Sequence, residues 1–329
     1  MSLLNVAVWG LGKHAQNRIL PALSAMDKIK LVGVCSRNSE VVDECAKLFN
    51  CYGWNNPKQM LNSTEVDIVY IATPIGVHFS LAKQSIEAGK HVWCEKPLTC
   101  SYTDTQTLVS LAKRKGQVLI ESFMYLYHPQ FQRVKRFVDD SKKIHSVICR
   151  FGIPTLENPG FRNNPKLCGG ALWDVATYTT SALLSLFPNQ QIKVLFSEII
   201  KEGLQVDSGG RAVLRFSQGV TAYLEWGTGV AYKNEIDLWG VDGSFFTDKI
   251  FSKPRGYQPQ YKIRDLNGNE SINDGKQSEQ FMDMFCNFIE IMGSEQKITI
   301  ERKIILQRAE LMNEIINFKG VENGKLEKY

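Results

Sequence analysis

The sequence predicts an α/β protein: an N-terminal doubly wound parallel sheet, then an α+β part with a large, mostly antiparallel open sheet. Three observations carry this. Short apolar runs alternate with helical patterns of similar length from Asn5 to Ser122. The run Val66 to Ala72 is almost continuously apolar, as a strand buried on both faces must be. Beyond His145, strand patterns follow one another with few helices between them, which favours antiparallel pairing with one face open.

Asn5 to Trp9 is the first strand, with a helical pattern from Asn17 to Met26 and a second strand from Lys30 to Cys35. Ser39 is placed to cap a helix running to Phe49, and Cys51 to Gly53 reads as a short third strand. Asn56-Pro57 opens a further helical turn, proline being favoured at the first helical position. After Val66 to Ala72, a helix closes at Gly89. His91 to Glu95 is the next strand, Tyr102 to Lys115 a helix stopped by Gly116, and Val118 to Glu121 another strand. Repeating units of this kind imply right-handed crossovers and a parallel sheet. A helix from Gln130 to Asp139, an extended run from His145 to Phe151 and a proline-rich polar loop precede a helix from Gly169 to Phe187. Strands are expected at Ile192 to Ile200, Ala212 to Phe216, Val220 to Trp226 and Glu235 to Gly240, with Ser217-Gln218-Gly219 as a hairpin turn. Helices from Ser278 to Met292 and Arg302 to Phe318 complete the chain. Residues 1–122 are expected to bind a dinucleotide, and residues 123–329 to bind substrate and form oligomer contacts.

Composition narrows the function classes. The net charge of +5 is mild and there is no Lys/Arg-rich block, so a nucleic-acid partner is not expected. No apolar run approaches the ~20 residues that span a bilayer. The eight cysteines form no C-x-x-C pair, which points to a reducing cytoplasm and free thiols in place of a disulfide framework. The five histidines show no metal-ligand spacing, and no metal is expected.

The chemistry-bearing residues collect at one sheet edge. Gly10-Leu11-Gly12-Lys13-His14-Ala15 lies between a strand and a helix and fits G-x-G-x-x-A. The first glycine allows the tight turn, the second lets a pyrophosphate approach the backbone, and the small third residue lets helix pack on strand. About 20 residues further on, where an acidic residue would bind the ribose of NAD, the chain has Ser36-Arg37. A hydroxyl and a guanidinium suit a 2′-phosphate, so NADP(H) is preferred and NAD(H) remains a possible cofactor. Thr73, Pro74, His78, Glu95 and Lys96 end strands or start helices at the same C-terminal edge, where open α/β sheets bind ligands. The turn Glu95-Lys96-Pro97 places an ammonium where it reaches both cofactor and reacting partner. In the second part, Asp174 and Tyr178 are four residues apart on one helix and project from one face. A phenol beside an ammonium can protonate a developing alkoxide, and Asp174 would orient it or the substrate.

Together the glycine loop, Thr73-Pro74 with His78, Glu95-Lys96-Pro97 and Gly169-Gly170-Ala171-Leu172-x-Asp174-x-x-x-Tyr178 resemble the glucose–fructose oxidoreductase / inositol dehydrogenase / MocA family over nearly the whole chain. The resemblance implies a Rossmann domain joined to an open-sheet domain, and a homodimer or homotetramer. It also implies hydride transfer between nicotinamide and a sugar, inositol or sugar-nucleotide substrate. Tyr178 stands where many members have histidine, which is similar to the branch of sugar-nucleotide ketoreductases and dihydrodiol dehydrogenases. By the same resemblance Lys96, Asp174 and Tyr178 are catalytic, and Arg162 and Tyr127 contact substrate. Two residues depart from the family pattern: Leu126 stands where arginine is frequent, and Cys168 where a glycine is usual. The implied activity is interconversion of an alcohol and a ketone on a sugar or sugar-nucleotide. A trans-dihydrodiol or aldose dehydrogenase and a non-catalytic dinucleotide-binding sensor are the alternatives.

Overall fold

The computed structural model describes residues 3–319. Its contacts group into two compact units. Among the described residues, the first comprises residues 3–129, 166–168 and 278–309, and the second the intervening segments and residues 310–319.

In the first unit, β1 (Leu4–Trp9), β2 (Ile29–Cys35), β3 (Tyr52–Trp54), β4 (Ile68–Ile71), β5 (His91–Glu95) and β6 (Leu119–Ser122) form one sheet. Its order is β3-β2-β1-β4-β5-β6, and every pair is parallel. The order reverses between β1 and β4, which opens a crevice at their C-terminal ends. All four residues of β4 are buried, as the apolar run predicted. The helix Ser39–Phe49 is capped by Asn38, whose side chain accepts from Val41 N–H, and not by Ser39 as expected. Asparagine offers its side-chain oxygen from an extended backbone, and Ser39 is already helical. Asn56 and Pro57 open the next helix in the cap and first positions. The helix Gln280–Met292, followed by the helix Glu295–Ile316, contributes Phe285 and Phe288, which pack on Trp93 of β5 at ring separations of 5.8 and 5.3 Å.

The second unit is built on β7 (Ile144–Ile153), β8 (Ile192–Ile200), β9 (Gly209–Phe216), β10 (Thr221–Thr228), β11 (Lys233–Gly240), β12 (Ser244–Asp248), β13 (Gln260–Arg264) and β14 (Glu270–Asp274). The order is β14-β13-β12-β11-β7-β10-β9-β8. Pairing is antiparallel except for the central β7–β10 pair, which is parallel. Gly219 closes the β9–β10 hairpin at φ +88°. The apolar helix Thr177–Leu186, with Ala182, Leu183 and Leu186 buried, packs on β10 and β7.

Six cysteines are free, but Cys100 and Cys168 are joined. This corrects the expectation of unpaired thiols throughout. The partners lie 68 residues apart, and no local spacing announces such a pair. Among the described residues, no helix is long and apolar enough to cross a membrane, and no group of three or more potential ligands could hold a metal ion.

Candidate active site

In the first unit the glycine loop leaves β1 as the motif requires. Gly10 adopts φ +108°, and a Cβ there would lie 2.7 Å from the Ala72 carbonyl oxygen, so only glycine fits beside the end of β4. A Cβ on Gly12 would meet nothing within 4 Å, which leaves its backbone open to an approaching group. Leu11 is buried, and its carbonyl accepts from the Gln16 amide at 2.7 Å. Thr73 carries a buried hydroxyl without a hydrogen-bond partner, beside this loop. An open backbone cradle and an orphaned hydroxyl fit a dinucleotide phosphate. At the end of β2, Ser36 accepts from Asn38 N–H, and the neighbouring Arg37 is exposed.

Glu95 ends β5 and accepts from the Tyr70 hydroxyl at 2.6 Å, while His14 Nε2 lies 3.3 Å away. Burial alone would raise its carboxyl, but His14, Tyr70 and Lys96 outweigh it and hold the group below its usual value. Glu95 therefore stays charged and ties the glycine loop, through His14, to the strand that delivers Lys96. His14 also packs edge-on against Phe281 at 5.5 Å. Pro74 begins the turn before a short helical stretch, and His78 behind it is completely buried. Its ring nitrogens lie 2.9 and 2.8 Å from the carbonyl oxygens of Pro97 and Thr73. Burial lowers the ring below its usual value, so the neutral His78 donates to one of these carbonyls at a time, from between the ends of β4 and β5. Tyr127 packs edge-on against Phe288 at 5.9 Å. Burial raises its phenol above the usual value, with Glu301 adding to the shift. Leu126 is buried in the same turn.

The second unit carries the other half of the expected set. Asp174 is buried, and its carboxylate accepts from Arg162 Nε at 2.5 Å. The two glycines explain how this pair forms. A Cβ on Gly169 would lie 2.3 Å from the Arg162 carbonyl oxygen, and Gly170 N–H donates to that same oxygen at 2.8 Å. Gly170 itself sits at φ +111°, where a Cβ would collide with Asp207. Asp207 in turn accepts from Leu172 N–H at 2.7 Å through its side chain and from Ala171 N–H through its carbonyl. It acts as the cap of a helix whose own sequence supplies none. The motif is therefore a close-packed helix start that anchors Arg162 by backbone and side chain at once. Tyr178 is buried against Phe151 and Phe251, at ring separations of 5.2 and 6.0 Å.

Sequence reasoning missed Asp207, Tyr70 and Glu121. Glu121 is a buried carboxylate on β6 that accepts from Leu98 N–H. Its signal was a lone charge at the end of the apolar run Val118-Leu119-Ile120. Asp207 and Tyr70 give no comparable local signal, since their partners lie 35 and 25 positions away.

Residues 4–123 match the model described as "Oxidoreductase family, NAD-binding Rossmann fold", and residues 131–246 match the GFO/IDH/MocA C-terminal domain. The dTDP-3,4-didehydro-2,6-dideoxy-alpha-D-glucose 3-reductase of Streptomyces violaceoruber is 32% identical over 81% of this chain and 79% of its own. The scyllo-inositol 2-dehydrogenase (NADP(+)) of Bacillus subtilis is 27% identical over 93% and 94%. A 3-ketoreductase from Actinomadura kijaniata, crystallised with NADP and TDP-benzene, superposes with a TM-score of 0.90 at 28% identity, covering 96% of this chain and 97% of that one. With both halves matched and the glycine, lysine and tyrosine motifs in place, the chain belongs to the GFO/IDH/MocA family of oxidoreductases.

Proposed function

We propose that this oxidoreductase uses NADPH to reduce a ketone on a nucleotide-linked sugar. Likeness along nearly the whole chain to a 3-ketoreductase crystallised with NADP and TDP-benzene, in a sequence that keeps Lys96 and Tyr178, carries the reading. Gly10, Leu11, Gly12, Lys13, His14, Thr73, Pro74, His78 and Glu95 form or support the cofactor edge, and Ser36 and Arg37 meet the 2′-phosphate. The bound nicotinamide supplies the hydride. Tyr178 gives its proton to the carbonyl oxygen as charge develops there, and Lys96 lowers the cost of the phenolate left behind. Asp174 holds Arg162, whose guanidinium is one-third exposed and contacts a phosphate or polar substrate group. Tyr127 lines the substrate side. Structures of the Actinomadura enzyme with single replacements of a tyrosine and of a lysine draw attention to the same two residue types. Residues 1–122 bind the cofactor and residues 123–329 the sugar.

A homodimer through the open face of the second sheet belongs to the same reading. On that face Phe196, Val213, Tyr223 and Ile148 lie in one register row across β8, β9, β10 and β7. Beside them runs a row of alternating charge, Glu198, Arg211, Glu225, Arg150 and Glu235, in which Arg211 pairs with Glu198 and Arg150 with Glu225 and Glu235. An apolar row flanked by alternating charges is self-complementary when a second copy meets it about a two-fold axis. The likeness to an NADP(+)-dependent inositol dehydrogenase favours, as the second reading, oxidation of a polyol or aldose.

The test is NADPH consumption with a panel of keto-sugar nucleotides, free keto-sugars, inositols and aldoses. The reading expects turnover with the nucleotide-linked ketones first. Turnover confined to inositols or aldoses with NADP⁺ would replace it with the second reading.

A further inference from the structure

The peptide group between Pro97 and Leu98 is held at both polar ends. Its oxygen lies 2.9 Å from Nδ1 of His78. Its N–H donates to Glu121 Oε1 at 2.8 Å. His78, Leu98 and Glu121 are all buried. The second oxygen of Glu121 accepts from Arg308 Nη1 at 3.1 Å, and the Arg308 guanidinium lies over the Phe123 ring at 4.7 Å. Lys96 is attached directly to the residue whose carbonyl is gripped.

Rotating this peptide plane would take the buried Leu98 N–H away from its Glu121 acceptor and leave it unpaired. Stability alone does not account for the arrangement, because well-packed apolar residues commonly replace a buried ion pair at no loss. What an apolar residue cannot replace is the acceptor for Leu98 N–H, an orphan backbone donor just after the lysine. We propose that Glu121 is a positioning residue for Lys96. It fixes the N–H of the peptide downstream of the lysine, with the His78 ring packed against the oxygen of the same peptide and Arg308 aiming the carboxylate. This deepens the proposed function and rests on its assignment of Lys96 to the reaction.

Three full-length variants test it: Glu121→Leu, which removes the acceptor; Glu121→Asp, which keeps the charge on Arg308 but shortens the reach; and Glu121→Gln, which keeps an acceptor oxygen at full length. Misplacing a reacting group by about an ångström costs on the order of 10²-fold. The loss should fall on kcat, with KM and the NADPH dissociation constant moving less than about threefold. Glu121→Gln should restore most of the rate, and adding Lys96→Ala to Glu121→Leu should cost far less than in the parent chain, because both act through one group. Should Glu121→Leu not fold, Glu121→Asp carries the same expectations. Additive losses, or a Glu121→Gln rate as low as that of Glu121→Asp, would overturn the proposal. Acetylation of Lys96 by acetic anhydride, read by peptide mass, needs no turnover. Its rate should change in Glu121→Asp while that of Lys90, held by the Ser63 and Val66 carbonyls, stays constant. An unchanged Lys96 rate refutes the clamp even if the parent enzyme reduces no keto-sugar, an outcome that would sink only the substrate reading.

Discussion

Replacing Arg308 by methionine removes the cation that pairs with two buried carboxylates. Arg308 Nη1 is 3.1 Å from Glu121 and 3.6 Å from Glu301, and all three side chains are 7% exposed or less. Methionine keeps most of the volume, so the perturbation is electrostatic before it is steric. Breaking a buried pair by removing one partner costs about 3–5 kcal/mol, because the other charge is left without compensation. The cost must depend on pH. Burial pushes the Glu301 carboxyl up, Arg308 pulls it down, and Glu121 pushes it up again, leaving it above its usual value. Losing Arg308 raises it further. A carboxyl whose folded value exceeds its unfolded value favours folding when protonated, and that contribution is lost as pH rises through the folded value. The destabilisation is therefore largest at neutral pH and shrinks as the pH falls into the ordinary carboxylate range, where protonation removes the stranded charge. Urea unfolding of parent and variant at both pH values, followed by tryptophan fluorescence, reads the difference. A loss below about 1 kcal/mol at neutral pH, or one that does not shrink on acidification, would refute the reasoning.

Tyr178→Phe should lower turnover about 10²–10⁴-fold, the usual weight of a general acid, with NADPH affinity unchanged by titration of nicotinamide fluorescence; undiminished turnover removes Tyr178 from the mechanism. Arg37→Ala should weaken NADPH binding while leaving NADH binding as it was, because only the former carries the 2′-phosphate; equal weakening of both would assign Arg37 another role. Reducing the Cys100–Cys168 bond should lower stability by about 2–4 kcal/mol through the freed chain. The Cys100→Ser variant should then show no response to dithiothreitol in thermal melts. Tyr223→Glu places a charge in the apolar row of the open sheet and should convert a dimer to monomers in analytical ultracentrifugation; a dimer that persists would exclude this face.

What the sequence conceals follows from where the partners of each residue lie. β1, β4 and β5 were readable because a central parallel strand is apolar on both faces, as Ile68–Ile71 is. β12, β13 and β14 were not read. Glu270–Asp274 is exposed at every position, and an edge strand held by backbone pairing and polar side-chain contacts such as Arg264–Glu270 leaves no apolar alternation to detect. The last helix begins at Glu295 and not at Arg302, since Ser294 accepts from Lys297 N–H and carries the β-branched run Ile298-Thr299-Ile300 into helix. The glycine loop and the Gly169-Gly170 start were legible because glycine is demanded locally. By contrast, Arg308 meets Glu121 across 187 positions, and only the fold reveals such a partnership.

The central claim is hydride delivery to a nucleotide-linked ketone, and isotope transfer tests it most directly. The enzyme is incubated with NADPH deuterated at the transferring C4 position and a keto-sugar nucleotide, and the sugar product is examined by mass spectrometry. The expected product carries a single deuterium on the carbon that was the carbonyl, with transfer greatly slowed in Tyr178→Phe. Tight NADPH binding with no deuterium in any keto-sugar nucleotide would contradict it.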